Sequence, residues 1–143
     1  MVDVHDKATR SFNMSRIKGK DTKPEMLVRK FLFSRGFRYR LHCKKNIGKP
    51  DLVLSKYKTV IFIHGCFWHG HEGCKYFVVP KTRSEWWIKK IMITKERDQK
   101  NAAQLLQKGI QVLTVFECEL KPKIREQTLA ELVKQLVRPT YDD

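Results

Sequence analysis

Acid is scarce in this chain, and so are cysteine and any long apolar run. Fifteen Asp and Glu face thirty Lys and Arg, a formal net charge of +15 over 143 residues. A surface so basic attracts polyanions, of which nucleic acid is the commonest inside cells. The plain alternative is a charge excess that serves only solubility. The apolar stretch in TVIFIHGCFW is far too short to cross a bilayer, and the opening MVDVHDKATRSFNM lacks the apolar core of a secretion signal. A cytoplasmic protein with no membrane partner is therefore expected. In that compartment the four cysteines, at 43, 66, 74 and 118, are expected as reduced thiols or metal ligands and not as disulfides.

What is present suits one folded domain spanning 1–143. The composition is 41% hydrophobic and 10% aromatic, without repeats or low-complexity segments. Residues 1–20 are basic and weakly patterned, and read as an arm or short helix. Thr22-Lys23-Pro24-Glu25 reads as a helix start, with Thr22 as cap, Glu25 at the capping-box position and Pro24 in the first turn. Leu27, Val28, Phe31 and Leu32 continue it to Gly36. Phe37–Leu41 alternates like a strand, His42–Pro50 is a polar loop, and Asp51–Leu54 and Thr59–Ile63 read as short buried strands around the turn Ser55–Lys58. Ser84 is expected to cap a long helix running to about Lys108, with Gly109 closing it. Its apolar side is expected to gather Ile88, Ile91, Met92, Ala102, Ala103 and Leu106. A strand over Ile110–Phe116 and a helix over Gln127–Val137 complete an α/β chain with a small mixed sheet.

The stretch from His64 to Pro80 has neither helical nor strand periodicity, so something other than backbone pairing must hold it. Cys66-x4-His71-x2-Cys74 places three borderline-to-soft donors close together there. A fourth would close a tetrahedral structural Zn²⁺ site. Spacing leaves Cys118, at the end of the next predicted strand, and Cys43 both open as that fourth ligand. Buried Cys residues acting as small hydrophobes are the competing explanation.

Gly48-Lys49-Pro50-Asp51 puts a carboxylate at the start of a predicted buried strand, where an unpaired charge costs several kcal/mol, on the order of the desolvation penalty. Asp51, backbone carbonyls of the next strand near Ile63, His64 and the following His69 make a plausible Mg²⁺ site with a base beside it. Turn-forming Asp and ordinary histidines are the dull counterparts, and His5 and His42 read that way. On the long helix Asp98 lies eleven residues beyond Trp87, about 20° round and about 16 Å along, with Thr94 between them. Phe67 and Trp68, squeezed between Cys66 and His69, leave at least one aromatic to project outward. Such a side chain can stack on or wedge between bases, or both can pad the metal loop from beneath.

DVHDKATRSFNM, KDTKPE, GKPDLVL, VIFIHGCFWHGHEGC, KTRSEWW, ERD and VFECEL, taken in order from residue 3 to about 120, resemble the very-short-patch repair (Vsr) DNA mismatch endonucleases. The resemblance implies a restriction-endonuclease-like fold and a strand nick 5′ to the thymine of a T:G mismatch left by 5-methylcytosine deamination. It implies that Asp51 and the Ile63 backbone carbonyl hold Mg²⁺, that His69 is the catalytic histidine supported by Asp98, and that Glu25 and His64 organise the site. It makes Cys66, His71, Cys74 and Cys118 the zinc ligands. Phe67, Trp68 and Trp87 match aromatics that enter the major groove beside the mismatch, and Met14 matches an apolar residue entering the minor groove. The implied partner is double-stranded DNA met by a monomer, with other repair proteins as further partners. The strand after Pro-Asp reads FIH where the wider superfamily carries Glu-x-Lys, which argues against an ordinary restriction enzyme. Thr94 stands where the family's pattern has Asn. Two other functions fit parts of the pattern: a zinc-stapled DNA-binding module without catalysis, and a restriction-like double-strand cutter.

Overall fold

The computed structural model describes residues 22–43 and 46–137. Met14 and the basic segment 1–20 lie outside the described residues. Helix α1, Lys23–Ser34, begins where its cap chemistry puts it: Thr22 Oγ1 accepts a hydrogen bond from the Glu25 N–H at 3.4 Å, with Pro24 in the first turn. Four strands follow in a single mixed sheet: β1 (Arg40–Leu41), β2 (Leu52–Leu54), β3 (Thr59–His64) and, after helix α2 (Ser84–Gln107), β4 (Gln111–Phe116). Their spatial order is β1-β2-β3-β4. The first two pairings are antiparallel and β3/β4 is parallel, with Ile61 opposite Leu113 and His64 opposite Phe116. The parallel pair needs a crossover, which α2 supplies. Helix α3, Arg125–Leu136, closes the fold after a 3-10 turn over Glu117–Leu120.

Alternation along the strands divides the core in two. Leu52, Leu54, Ile61, Leu113 and Val115 face α1 and α3, where Val28, Leu32, Leu129, Leu132 and Leu136 complete the larger cluster. Val53, Val60, Phe62 and Val112 point the other way and meet Leu105 of α2. The sheet is thus sandwiched, with α2 on one face and the other two helices on the opposite one.

Four expectations shift. The predicted strand over Phe37–Leu41 shortens to Arg40–Leu41, because Phe37 leaves the strand path to pack in the core against Tyr57. Ser84 is the first helical residue and no side chain caps α2; the cap position is Arg83 in a left-handed conformation, φ 59°. The last helix starts at Arg125, two residues before Gln127. The fourth shift is the buried side of α2. Ile91 and Leu105 are buried, but Ile88, Met92 and Leu106 are 46%, 56% and 60% exposed. The face turned to the protein runs through Ile91, Asp98 and Leu105, about 80° from the apolar stripe expected from residue type.

Candidate active site

Three elements converge at one end of the sheet. The first is the turn Gly48-Lys49-Pro50-Asp51. Gly48 has φ 78°, and a Cβ there would sit 3.1 Å from both Asn101 Nδ2 of α2 and the Phe62 ring, so the turn lies tight against helix and sheet. Asp51, delivered just ahead of β2, accepts a hydrogen bond on Oδ2 from the Ile63 backbone N–H at 2.7 Å. Burial raises its pKa; the Ile63 bond opposes this and the nearby Glu25 carboxylate adds to it. Glu25 of α1 is itself only 1% exposed, and its Oε2 takes Arg29 Nη1 at 3.3 Å and lies 2.7 Å from His42 Nε2.

His42 is the residue that reading by type missed. The antiparallel register pairs Leu41 with Leu52, and the His42 N–H donates to the Asp51 carbonyl at 3.0 Å, so the two side chains meet beside Glu25. Had Arg40–Leu41 and Leu52–Leu54 been paired as a hairpin, residue 42 would have fallen opposite residue 51.

The second element is the stretch after β3. His64 ends that strand, and the His69 ring stacks on it at 3.7 Å with planes 3° apart. The third is α2, whose Asp98 Oδ2 lies 2.6 Å from His69 Nδ1. Burial works against ionisation of Asp98, but the hydrogen bond and charge of His69 prevail and hold its carboxyl below the usual value. An imidazole that gives Nδ1–H to a carboxylate keeps Nε2 as an acceptor. His64 has the opposite environment: burial, together with the neighbouring His69, pushes it down to about 4, with Asp98 acting the other way.

A stability prediction follows from His64. Between about pH 6.5 and pH 4 the unfolded chain binds a proton there that the folded chain refuses, so this contribution is present at neutral pH and is lost as pH falls. Asp51, with its raised pKa, works in the other direction, so the comparison must be differential. On moving from pH 7 to pH 5 the wild type should lose on the order of 5 °C more in melting temperature than His64→Gln. Equal losses in the two proteins would contradict a half-buried, neutral His64.

The same stretch carries a second cluster. Ligand atoms of Cys66, His71, Cys74 and Cys118 all lie within 4.8 Å of one another. Cys66 is fully buried, and Cys118 Sγ lies 3.4 Å from His71 Nδ1. Burial and the two neighbouring thiols push Cys118 up to about 12, the mark of sulfur donors crowded where a cation would let them ionise. The donor set therefore fits a soft or borderline metal ion, and the fold brings Cys118 and not Cys43 to the group. Gly70, at φ 57°, lets this loop press on α2, where a Cβ would meet Ile91 and Lys95 at 2.8 Å. A Lys95–Glu72 ion pair of 2.8 Å spans the same seam.

Beside the two histidines stands an aromatic wall. Phe67, Trp68 and Trp87 have ring centroids 5.2–5.8 Å apart, and Trp86 meets Trp87 edge-on at 4.7 Å. Trp68 projects, 37% exposed, while Phe67 and Trp87 are half-buried. Trp86 is exposed, with Arg83 and Lys90 within about 5 Å of its face, at 4.8 and 5.1 Å. Thr94 does not bridge Trp87 and Asp98; its hydroxyl donates to the Lys90 carbonyl of its own helix at 3.2 Å.

A mixed sheet between helices, with a Pro-Asp carboxylate and a His–Asp pair at one end of it, defines a nuclease of the restriction-endonuclease-like class. The sequence pattern of the family described as DNA mismatch endonuclease Vsr matches residues 2–75. The chain is 52% identical over 137 residues to the Type II nicking enzyme V.NmeAIP of Neisseria meningitidis, covering 95% of this chain and 97% of that one. It is 42% identical over 139 residues to the DNA mismatch endonuclease Vsr of Escherichia coli, 96% of this chain and 88% of the relative. A Type II nicking enzyme of Xanthomonas oryzae, V.XorIIP, matches at 42% over 120 residues, 84% and 88% of the two chains. The chain belongs to the Vsr family of DNA mismatch endonucleases.

Proposed function

We propose that this endonuclease nicks one strand of duplex DNA 5′ to the thymine of a T:G mismatch, opening very-short-patch repair of deaminated 5-methylcytosine. The observation that carries the chemical part is the 2.6 Å contact between Asp98 Oδ2 and His69 Nδ1 in a protein whose basic charge suits DNA. With Nδ1 committed to Asp98, His69 Nε2 can accept the proton of an attacking water as its oxygen bonds phosphorus in line with the departing oxygen. Asp98 orients the ring and stabilises the imidazolium that forms. Asp51 and the Ile63 carbonyl are the assigned holders of Mg²⁺, which supplies Lewis acidity and charge neutralisation at the phosphodiester when bound. Glu25 and His64 organise the surroundings. Zn²⁺ is the assigned ion of Cys66, His71, Cys74 and Cys118.

Phe67, Trp68 and Trp87, with Met14 from the opposite groove, are assigned the wedge that opens the stack. Unstacking costs a few kcal/mol, roughly, and less where pairing is already faulty, so a wedge favours a mismatch over a matched pair. Lys and Arg supply salt-sensitive affinity for phosphates without reading sequence. A monomer with one such site cuts one strand, which agrees with the nicking enzymes among its relatives. Among the described residues no helix is long and apolar enough to cross a membrane, and the proposed setting is the bacterial cytoplasm, where other repair proteins can meet it.

The test is a duplex labelled on both strands, carrying one T:G pair, with a matched homoduplex beside it and Mg²⁺ present. A single break in the thymine strand, on its 5′ side, is the expected product. Homoduplex cut at the same rate, or both strands broken, would overturn the assignment.

A further inference from the structure

His42 was given no role by its residue type or by the family resemblance, yet it stands at the carboxylates. Its backbone is held in the left-handed region, φ 46°, and its N–H is bonded to the Asp51 carbonyl at 3.0 Å, so the ring is aimed by a constrained backbone. Ligand atoms of Glu25, His42 and Asp51 all lie within 4.8 Å of one another. Donors around one octahedral cation with bonds of about 2.1–2.2 Å sit roughly 3–4.4 Å apart, close to this spread. His42 Nε2 is buried, lies 2.7 Å from Glu25 Oε2, and among the described residues has no hydrogen bond to any other group. A buried ring nitrogen crowded against two carboxylates needs a proton or a cation between them, and a bound cation meets that need for all three groups at once. Asp51 Oδ2 is committed to the Ile63 N–H, which leaves Oδ1 as its donor.

We propose that His42 supplies an imidazole nitrogen to the divalent ion held at Asp51, beside Glu25, making this a mixed nitrogen–oxygen site that favours Mn²⁺ over Mg²⁺. The inference rests on the reading of Asp51 as a metal holder and adds a ligand and a metal preference to it. Carboxylate, carbonyl and water are the donors Mg²⁺ prefers, whereas imidazole suits first-row transition ions, so each nitrogen tilts selectivity away from magnesium. Arg29 meets the same Glu25 carboxylate and partly neutralises it, so His42 need not serve as the counter-charge there.

The experiment uses the full-length, zinc-loaded protein and Mn²⁺ alone as probe. Free Mn²⁺ is titrated by continuous-wave EPR, and nitrogen coupling to the bound ion is read by pulsed EPR. The wild type should show imidazole ¹⁴N coupling. His42→Gln should lose it and bind Mn²⁺ about tenfold more weakly, with Mg²⁺ affinity, read by competition, moving less. His42→Asn serves as a second variant should the first fail to fold, and the wild-type spectrum needs neither. Absence of nitrogen coupling in the wild type, or its persistence in both variants, overturns the assignment of His42. Asp51→Asn separates the two readings: if it abolishes Mn²⁺ binding while the wild type shows no nitrogen coupling, only His42 falls. If Asp51→Asn binds Mn²⁺ like the wild type, the assigned metal site falls with it.

Discussion

Asp51→Asn should lower the nicking rate on a T:G duplex by about 10³-fold or more while leaving the protein at least as stable. Asparagine keeps the shape of the side chain and can still accept the Ile63 N–H, so the hydrogen bond that seats the residue survives. What disappears is the negative charge. A divalent ion at a phosphodiester supplies several kcal/mol of transition-state stabilisation, and each factor of ten in rate corresponds to about 1.36 kcal/mol. Stability should move the other way, because Asp51 is partly buried next to Glu25 and both effects raise its pKa. Removing one of two crowded carboxylates relieves repulsion, so the melting temperature of the metal-free protein should hold or rise. Single-turnover nicking and thermal unfolding of the two proteins check both signs. Nicking within tenfold of the wild type would remove Asp51 from the chemistry. Activity lost together with a large fall in stability would mean that the carboxylate is structural.

The parts legible in the sequence were those fixed by local chemistry. Thr22 and Pro24 mark the start of α1 because cap and first-turn positions have intrinsic preferences. The two buried strands around residues 52–64 announce themselves by short apolar runs bounded by turn residues. The Cys66, His71 and Cys74 spacing stood out because that stretch has no other means of support. Position in space was less legible. The buried side of α2 departs from its apolar stripe because the face turned inward carries Lys95 and Asp98 for the site, while Ile88 and Met92 are left outside. A helix that serves a site breaks the rule that apolar residues mark the buried face. His42 was hidden for a related reason: its place depends on a two-residue strand pairing that no local signal specifies.

Loss of the proposed zinc site should also be severely damaging, by another route than loss of Asp51. The stretch between β3 and α2 holds no strand or helix, yet it carries Phe67, Trp68 and His69. Its backbone bonds are local turns, such as His69 N–H to the Gly65 carbonyl and His71 N–H to the Cys66 carbonyl. Cys118, just after β4, joins Cys66, His71 and Cys74, so an ion held by these four would be the main bridge between this loop and the sheet. The large core of α1, α3 and the strands lies elsewhere and does not need that bridge. Removing Zn²⁺ with a strong chelator, or substituting Cys118→Ala, should therefore release the loop without unfolding the sheet. Most far-UV circular dichroism should remain, and tryptophan emission should shift red as Trp68 and Trp87 separate. Nicking should fall about 100-fold or more, since a displacement of the order of 1 Å in a catalytic group already costs that much. Zn²⁺ added back to chelated wild type should restore activity where Mg²⁺ alone does not, and Cys118→Ala should not be rescued. Because His69 is held by Asp98 as well as by the loop, Cys118→Ala and Asp98→Asn should combine less than additively: once the loop is free, the carboxylate has no ring to orient. Full activity after zinc removal would mean that the Asp98 and Lys95 contacts alone hold the loop on α2.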